Sequence, residues 1–185
     1  LQIRQVANIV IDASPVKAWA ADVASGRVSV ESWHQFMRDE IRRNYIQQYL
    51  AGRGGIGKMT FKDWGSIGGM ITDQYRYLDK FAGEVAANEL GPGTIARRAE
   101  MYINSSREAY SRAEKRAVEE SELRRKEVRW VEDPVAEHCT DCDGLVLLGW
   151  QPMDPWPFKS GGKDIYPGSG DTVCLTSCKC HLEYR

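Results

Sequence analysis

Between residues 29 and 50 the large apolar residues fall on every fourth position: Trp33, Met37, Ile41, Tyr45 and Tyr49, with Phe36 beside them. A helix turns once per about 3.6 residues, so this spacing predicts one long amphipathic helix from Ser29 to Leu50 with an aromatic-rich face. Before it, "SPVKAWAADVASG" offers Ser14 as a cap, Pro15 at the first helical position and Gly26 as a stop. After it, a third helix is expected from Thr60, with Asp63 three residues on as an acidic partner for the unpaired first-turn N–H groups. Trp64, Ile67, Ile71, Leu78, Phe81 and Val85 mark its apolar side, and the glycines at 65, 68 and 69 weaken its first turns or admit another backbone. "ELGPGT" breaks the chain. A fourth helix is expected to start after Thr94 and to run to about Leu123, with charges alternating in sign and a narrow apolar side of Ile95, Ala99, Tyr102, Ala109, Ala113 and Ala117. Such alternation reads as a solvated face before it reads as a helix docked on a partner or on DNA phosphates. The aromatic face of the second helix is the surface expected to serve docking.

The pattern changes near residue 126. "KEVRWVED" alternates and is β-branched, which predicts a strand. "PVAEHCTDCDGLVLLGW" reads as a turn followed by a short helix, and "KCHLEYR" alternates again and can pair with "VRWVED". Between them runs a loop rich in Pro, Gly and Trp; five of the seven prolines lie between 134 and 167. Trp130, Trp150 and Trp156 are expected to form a small core around it. The fold class that follows is mainly α: an elongated helical body over 1–125 and a small cysteine-clamped α+β knob over 126–185.

Charge and composition change this picture little. The formal net charge is −1, which gives no global attraction to nucleic acid or to a membrane. No apolar run approaches the roughly 18 residues of a membrane-spanning helix. "LQIRQVANIVIDASP" lacks the charged and long apolar regions of a secretory signal, so a soluble, non-secreted chain is expected. It opens on Leu1 rather than Met, as a processed chain or a fragment does. "GRGGIGKM" nearly matches a phosphate-binding loop through Gly52, Gly57 and Lys58, but Met59 takes the place of the hydroxyl and a helix precedes the motif. A helix cap and an inter-helix turn explain those glycines better. His34, beside Trp33, is read as solvated or hydrogen-bonded. The scattered Asp141, Asp143, Asp154, Asp164 and Asp171 make no calcium loop, and no Ser-His-Asp set or carboxylate pair suggests catalysis.

The cysteines carry the candidate chemistry. All five lie in the last 47 residues: Cys139 and Cys142 as C-x-x-C, then Cys174, Cys178 and Cys180. Disulfides need an oxidising compartment or assembly outside the cell, and an odd count leaves one thiol over. A nucleophile needs a histidine, and His138 adjoins Cys139, but Cys142 stands at metal spacing. Zinc fits best: a pair of thiolates from each end of a loop of about 35 residues makes a closed four-sulfur site of Cys139, Cys142, Cys178 and Cys180. Cys174 can replace one of the last two, His138 or His181 less readily. A segment this small and irregular needs such a fastening.

The order "VRWVEDPVAEHCTDC", "LGWQP", "YPGSGDTVCLTSCKCHLEY" resembles the C-terminal region of tailed-phage minor head proteins, the head morphogenesis proteins of the phage Mu F-like type. The specific likeness spans roughly 126–185, and a looser one roughly 30–125. It implies a non-enzymatic structural component of the virion head, assembled in the host cytoplasm. Its partners would be the portal or major capsid protein, at the portal vertex or inner capsid. It places Cys139, Cys142, Cys178 and Cys180 at the family's cysteine positions. Where the family commonly has His-Pro before the C-x-C, this chain has "CLTS", with Cys174 as an extra cysteine. The alternative is a nucleic-acid-binding zinc module for DNA packaging or ejection. Residues 97–129 hold ten Lys and Arg against seven Asp and Glu, a small excess for that role. A zinc nuclease or thiol transferase is disfavoured by a chain with three histidines.

Overall fold

The fourfold spacing of aromatics becomes α2 (Val30–Arg53), capped by the Ser29 hydroxyl accepting from Ser32 N–H. It is the central helix of a computed structural model that describes residues 11–123 and 126–185. Residues 1–10, where most of the leader reading falls, and residues 124–125, at the expected boundary of body and knob, lie outside the described residues. Helices α1 (Ser14–Ala24), α3 (Phe61–Ala86), α4 (Pro92–Asn104) and α5 (Arg107–Glu119) all pack on α2. Enclosed on these sides, Trp33, Met37 and Ile41 are fully buried and Tyr45 and Tyr49 are 1 % exposed. The expectation that this face serves docking is therefore corrected: it is the core. Burial of each such side chain contributes roughly 1.5–3 kcal/mol. Phe36, off the main stripe, stacks on Trp19 with ring centroids 4.4 Å apart.

Thr60 and Asp63 form the capping box that starts α3: Thr60 N–H donates to Asp63 Oδ2 at 2.8 Å and Asp63 N–H donates back to Thr60 Oγ1 at 3.3 Å. Asp63 is fully buried and accepts more than the box requires. Tyr49 Oη donates to it at 3.0 Å, and the guanidinium groups of Arg53 and Arg116 lie 3.3 and 3.2 Å away. One carboxylate thus joins α2, α3 and α5. Burial raises its pKa, but the hydrogen bonds from Thr60 and Tyr49 and the Arg53 charge together outweigh this and hold it below the usual carboxylate value. The nearby phosphate-loop look-alike is an inter-helix turn, as read. Gly54 caps α2 in the left-handed conformation at φ 81°, and residues Ile56–Lys58 form a single 3-10 turn.

The expected fourth helix is two. Gly91 rather than Thr94 caps α4, with Pro92 in its first turn. The helix then breaks at Ser105 and Ser106, whose hydroxyls turn back onto the carbonyls of Tyr102 and Ile103 at 2.8 and 2.7 Å. Serine side chains compete in this way with the main-chain ladder. Tyr45 Oη also meets Ser105 Oγ at 2.9 Å in the core. The break lets α4 pack on α1 while α5 packs on α2.

The C-terminal part is a three-stranded antiparallel sheet in the order β2-β1-β5, built from β1 (Glu127–Val131), β2 (Gln151–Pro152) and β5 (His181–Tyr184). The predicted pairing of the last strand with the first is present, in the register Val128↔Tyr184 to Val131↔His181. The short helix is α6 (Thr140–Leu147). Inside the Pro/Gly loop lies an unpredicted hairpin, β3 (Lys159–Ser160) with β4 (Lys163–Asp164). Trp130 and Trp156 are buried with Phe158, Ile165 and Tyr166, as expected of a small core. Trp150 departs from that reading: it is half-buried between the guanidiniums of Arg129 and Arg185, 4.8 and 4.4 Å from its ring centroid. The fold is mainly α with a small α+β knob. Its apolar side chains form two clusters: Val16 to Ala113 in one, and Val118 with the sheet and cysteines in the other. Among the described residues, no helix is long and apolar enough to cross a membrane.

Candidate metal centre

Cys139 caps the N-terminus of α6 and Cys142 lies in its first turn, so the C-x-x-C spacing brings both sulfurs to one end of the helix, 3.6 Å apart. The other three arrive from a loop that doubles back. Val173 N–H donates to Asp141 Oδ2 at 2.8 Å, which fastens that loop to the start of α6. A 3-10 turn at Leu175–Ser177 then separates Cys174 from Cys178, and Cys180 precedes β5.

Cys142 is the hub. Its Sγ lies 3.7 Å from Cys174 Sγ and 3.7 Å from Cys178 Sγ, in addition to the contact with Cys139. Two sets of three sulfurs lie mutually within 4.8 Å: Cys139, Cys142, Cys174 and Cys142, Cys178, Cys180. The four sulfurs expected from the sequence are all in the cluster, and Cys174, held there only as a substitute, is in it too. The extra Cys in the first half of "CLTSC" was the available signal for it. Two tetrahedral thiolates on a zinc ion, each about 2.3 Å from it, stand about 3.8 Å apart. The three contacts to Cys142 match that edge.

The five sulfurs sit in unlike surroundings. Cys142, Cys178 and Cys180 are buried, and Cys139 and Cys174 are half-buried. Hydrogen bonding from Cys180 brings the Cys178 thiol down to about 5, whereas burial pushes Cys174 up to about 11. Burial, then the Cys178 charge, raises Cys142 as well. Metal coordination removes this conflict because it deprotonates thiols outright. From α5, Arg107 Nη1 donates to the Cys178 carbonyl at 3.2 Å. His138 Nε2 lies 2.7 Å from the Asp133 carbonyl and its Nδ1 3.6 Å from Cys180 Sγ. His181 joins neither set of three and lies 3.8 Å from Glu183. His34 is hydrogen-bonded to Asp79 at 2.8 Å, as expected.

The described residues thus hold a cysteine cluster of metal-binding dimensions in a mainly α protein. No protein-family model, curated protein or solved structure matches this chain, so its class rests on that geometry and on its sequence.

Proposed function

We propose that the protein is a structural component of a tailed-phage head whose C-terminal knob is closed by zinc held on cysteine. The observation that carries the zinc reading is the hub position of Cys142, with three other sulfurs 3.6–3.7 Å away. A disulfide serves one partner; a sulfur equidistant from three suits metal coordination, which gathers several thiolates around each ion. All the donors are cysteines, with one histidine adjacent, and soft thiolates in a tetrahedral array select zinc over hard cations. The phage reading rests on the order of the tail motifs. Apolar surface for protein contacts exists at Ile56, Phe61 and Trp64, which are 66 %, 98 % and 41 % exposed. In this reading the chain works through contacts with the portal or major capsid protein and assigns no residue to catalysis. The nucleic-acid alternative is weakened on α5, where Arg112, Lys115 and Arg116 are paired with Glu108, Glu119 and Glu120. The test is co-sedimentation of the full chain with heads assembled from the portal and major capsid proteins of its source phage, with zinc measured in the same fractions. Zinc-bearing chain in the head fraction is expected. Chain that stays in the supernatant overturns the head assignment, and chain free of zinc overturns the metal assignment.

A further inference from the structure

We propose that the cluster holds two metal ions bridged by the Cys142 thiolate, an inference that rests on the zinc reading above. The two sets of three sulfurs share Cys142 and nothing else. Among the described residues, no set of four donors lies mutually within 4.8 Å, as four ligands of one ion must. One ion would therefore take part of the cluster and strand the rest. Two ions divide it evenly: the first on Cys139, Cys142 and Cys174, the second on Cys142, Cys178 and Cys180.

Each set supplies three of the four donors of a tetrahedral ion. His138 stands beside the second set, although it belongs to neither. A carbonyl oxygen can only accept, so His138 Nε2 donates to Asp133 O, and the neutral ring keeps its lone pair on Nδ1. That atom lies 3.6 Å from Cys180 Sγ, but it joins no set with Cys142 or Cys178, so His138 lies against the second set from outside and is not its fourth donor. The first ion lies among the half-buried Cys139 and Cys174, where water completes its shell. Two divalent ions on five thiolates leave a net charge of −1, and the Arg107 guanidinium donates to the Cys178 carbonyl at the edge of the second set.

The test is metal stoichiometry of the reduced full chain, by elemental analysis and by exchange of zinc for 113Cd followed by NMR. Two equivalents and two cadmium resonances, split by coupling through the shared thiolate, are expected. Cys174→Ser is expected to retain one equivalent, on the Cys178 side. A single equivalent and a single resonance in the unmodified chain overturn the two-ion proposal and leave the zinc reading standing. No bound metal overturns both.

Discussion

Glu114 is a carboxylate whose ionisation is at odds with its place. It lies on α5, and the Tyr110 hydroxyl donates to it at 3.3 Å; the Tyr184 hydroxyl is also buried, with no hydrogen-bond partner. Burial pushes its carboxyl up to about 7, only partly offset by the Tyr110 hydrogen bond. An acid whose folded pKa is raised gives up protons more readily when unfolded. Stability therefore falls as pH rises from about 4.5 to about 7, by on the order of 3 kcal/mol at most. Asp63 has the opposite sign: its lowered pKa adds stability above the unfolded carboxylate range that is lost as pH falls through the folded value. Urea unfolding across this range is expected to show that Glu114→Gln flattens the decline between pH 4.5 and 7. An unchanged slope would mean that Glu114 is solvated in the folded state.

At the scale of elements, α2 and α5 pack backbone against backbone at Gly52. A methyl group at Gly52 would stand 2.3 Å from the Tyr110 carbonyl oxygen and 2.8 Å from Ala113 Cβ. Neither can rotate away, since one is backbone and the other a Cβ. Gly52→Ala is expected to lower stability by about 3 kcal/mol, read from the shift of the urea midpoint. Among the described residues, Gly65, Gly68 and Gly69 on α3 have nothing within 4 Å of the corresponding position, so no described second backbone uses them. This contrast shows what was legible beforehand. The periodicity of α2, the Thr60–Asp63 box and the alternation of β1 and β5 are local patterns, and each came through. The break at Ser105–Ser106 comes inside a run of continuous helical spacing and is met across the core by Tyr45, 60 residues away, and the hairpin at 159–164 has strands of two residues, too short to alternate. Gly52 read as part of a loop motif because its neighbour on α5 is about 60 residues away in sequence. In the site, cysteine spacing pointed to the cluster, but only the doubled-back loop shows that Cys174 reaches Cys142.

Across the whole molecule, the knob is tied to the helices by few but specific contacts. Arg107 reaches the Cys178 carbonyl, and Gly168, at φ +80°, packs so closely on the Arg107 side chain that a methyl there would meet it at 2.8 Å. Arg112 and Lys115 lie over the rings of Tyr166 and Trp156 at 4.6 and 5.2 Å. The helical cluster from Val16 to Ala113 does not draw on the cysteines, whereas the second cluster contains Cys142, Cys178 and Cys180. Closing the loop between Cys142 and Cys178 lowers the entropy of the unfolded knob, and an ion that binds only the folded form adds its binding free energy. The central claim, that metal fastens the end of the chain to α6, is tested most directly by hydrogen exchange of the full chain with and without a zinc chelator, under reducing conditions. The account predicts that protection falls across residues 139–185 on chelation while α1 to α3 keep theirs. Unchanged protection in 139–185 would contradict it and leave the five cysteines as ordinary packed thiols.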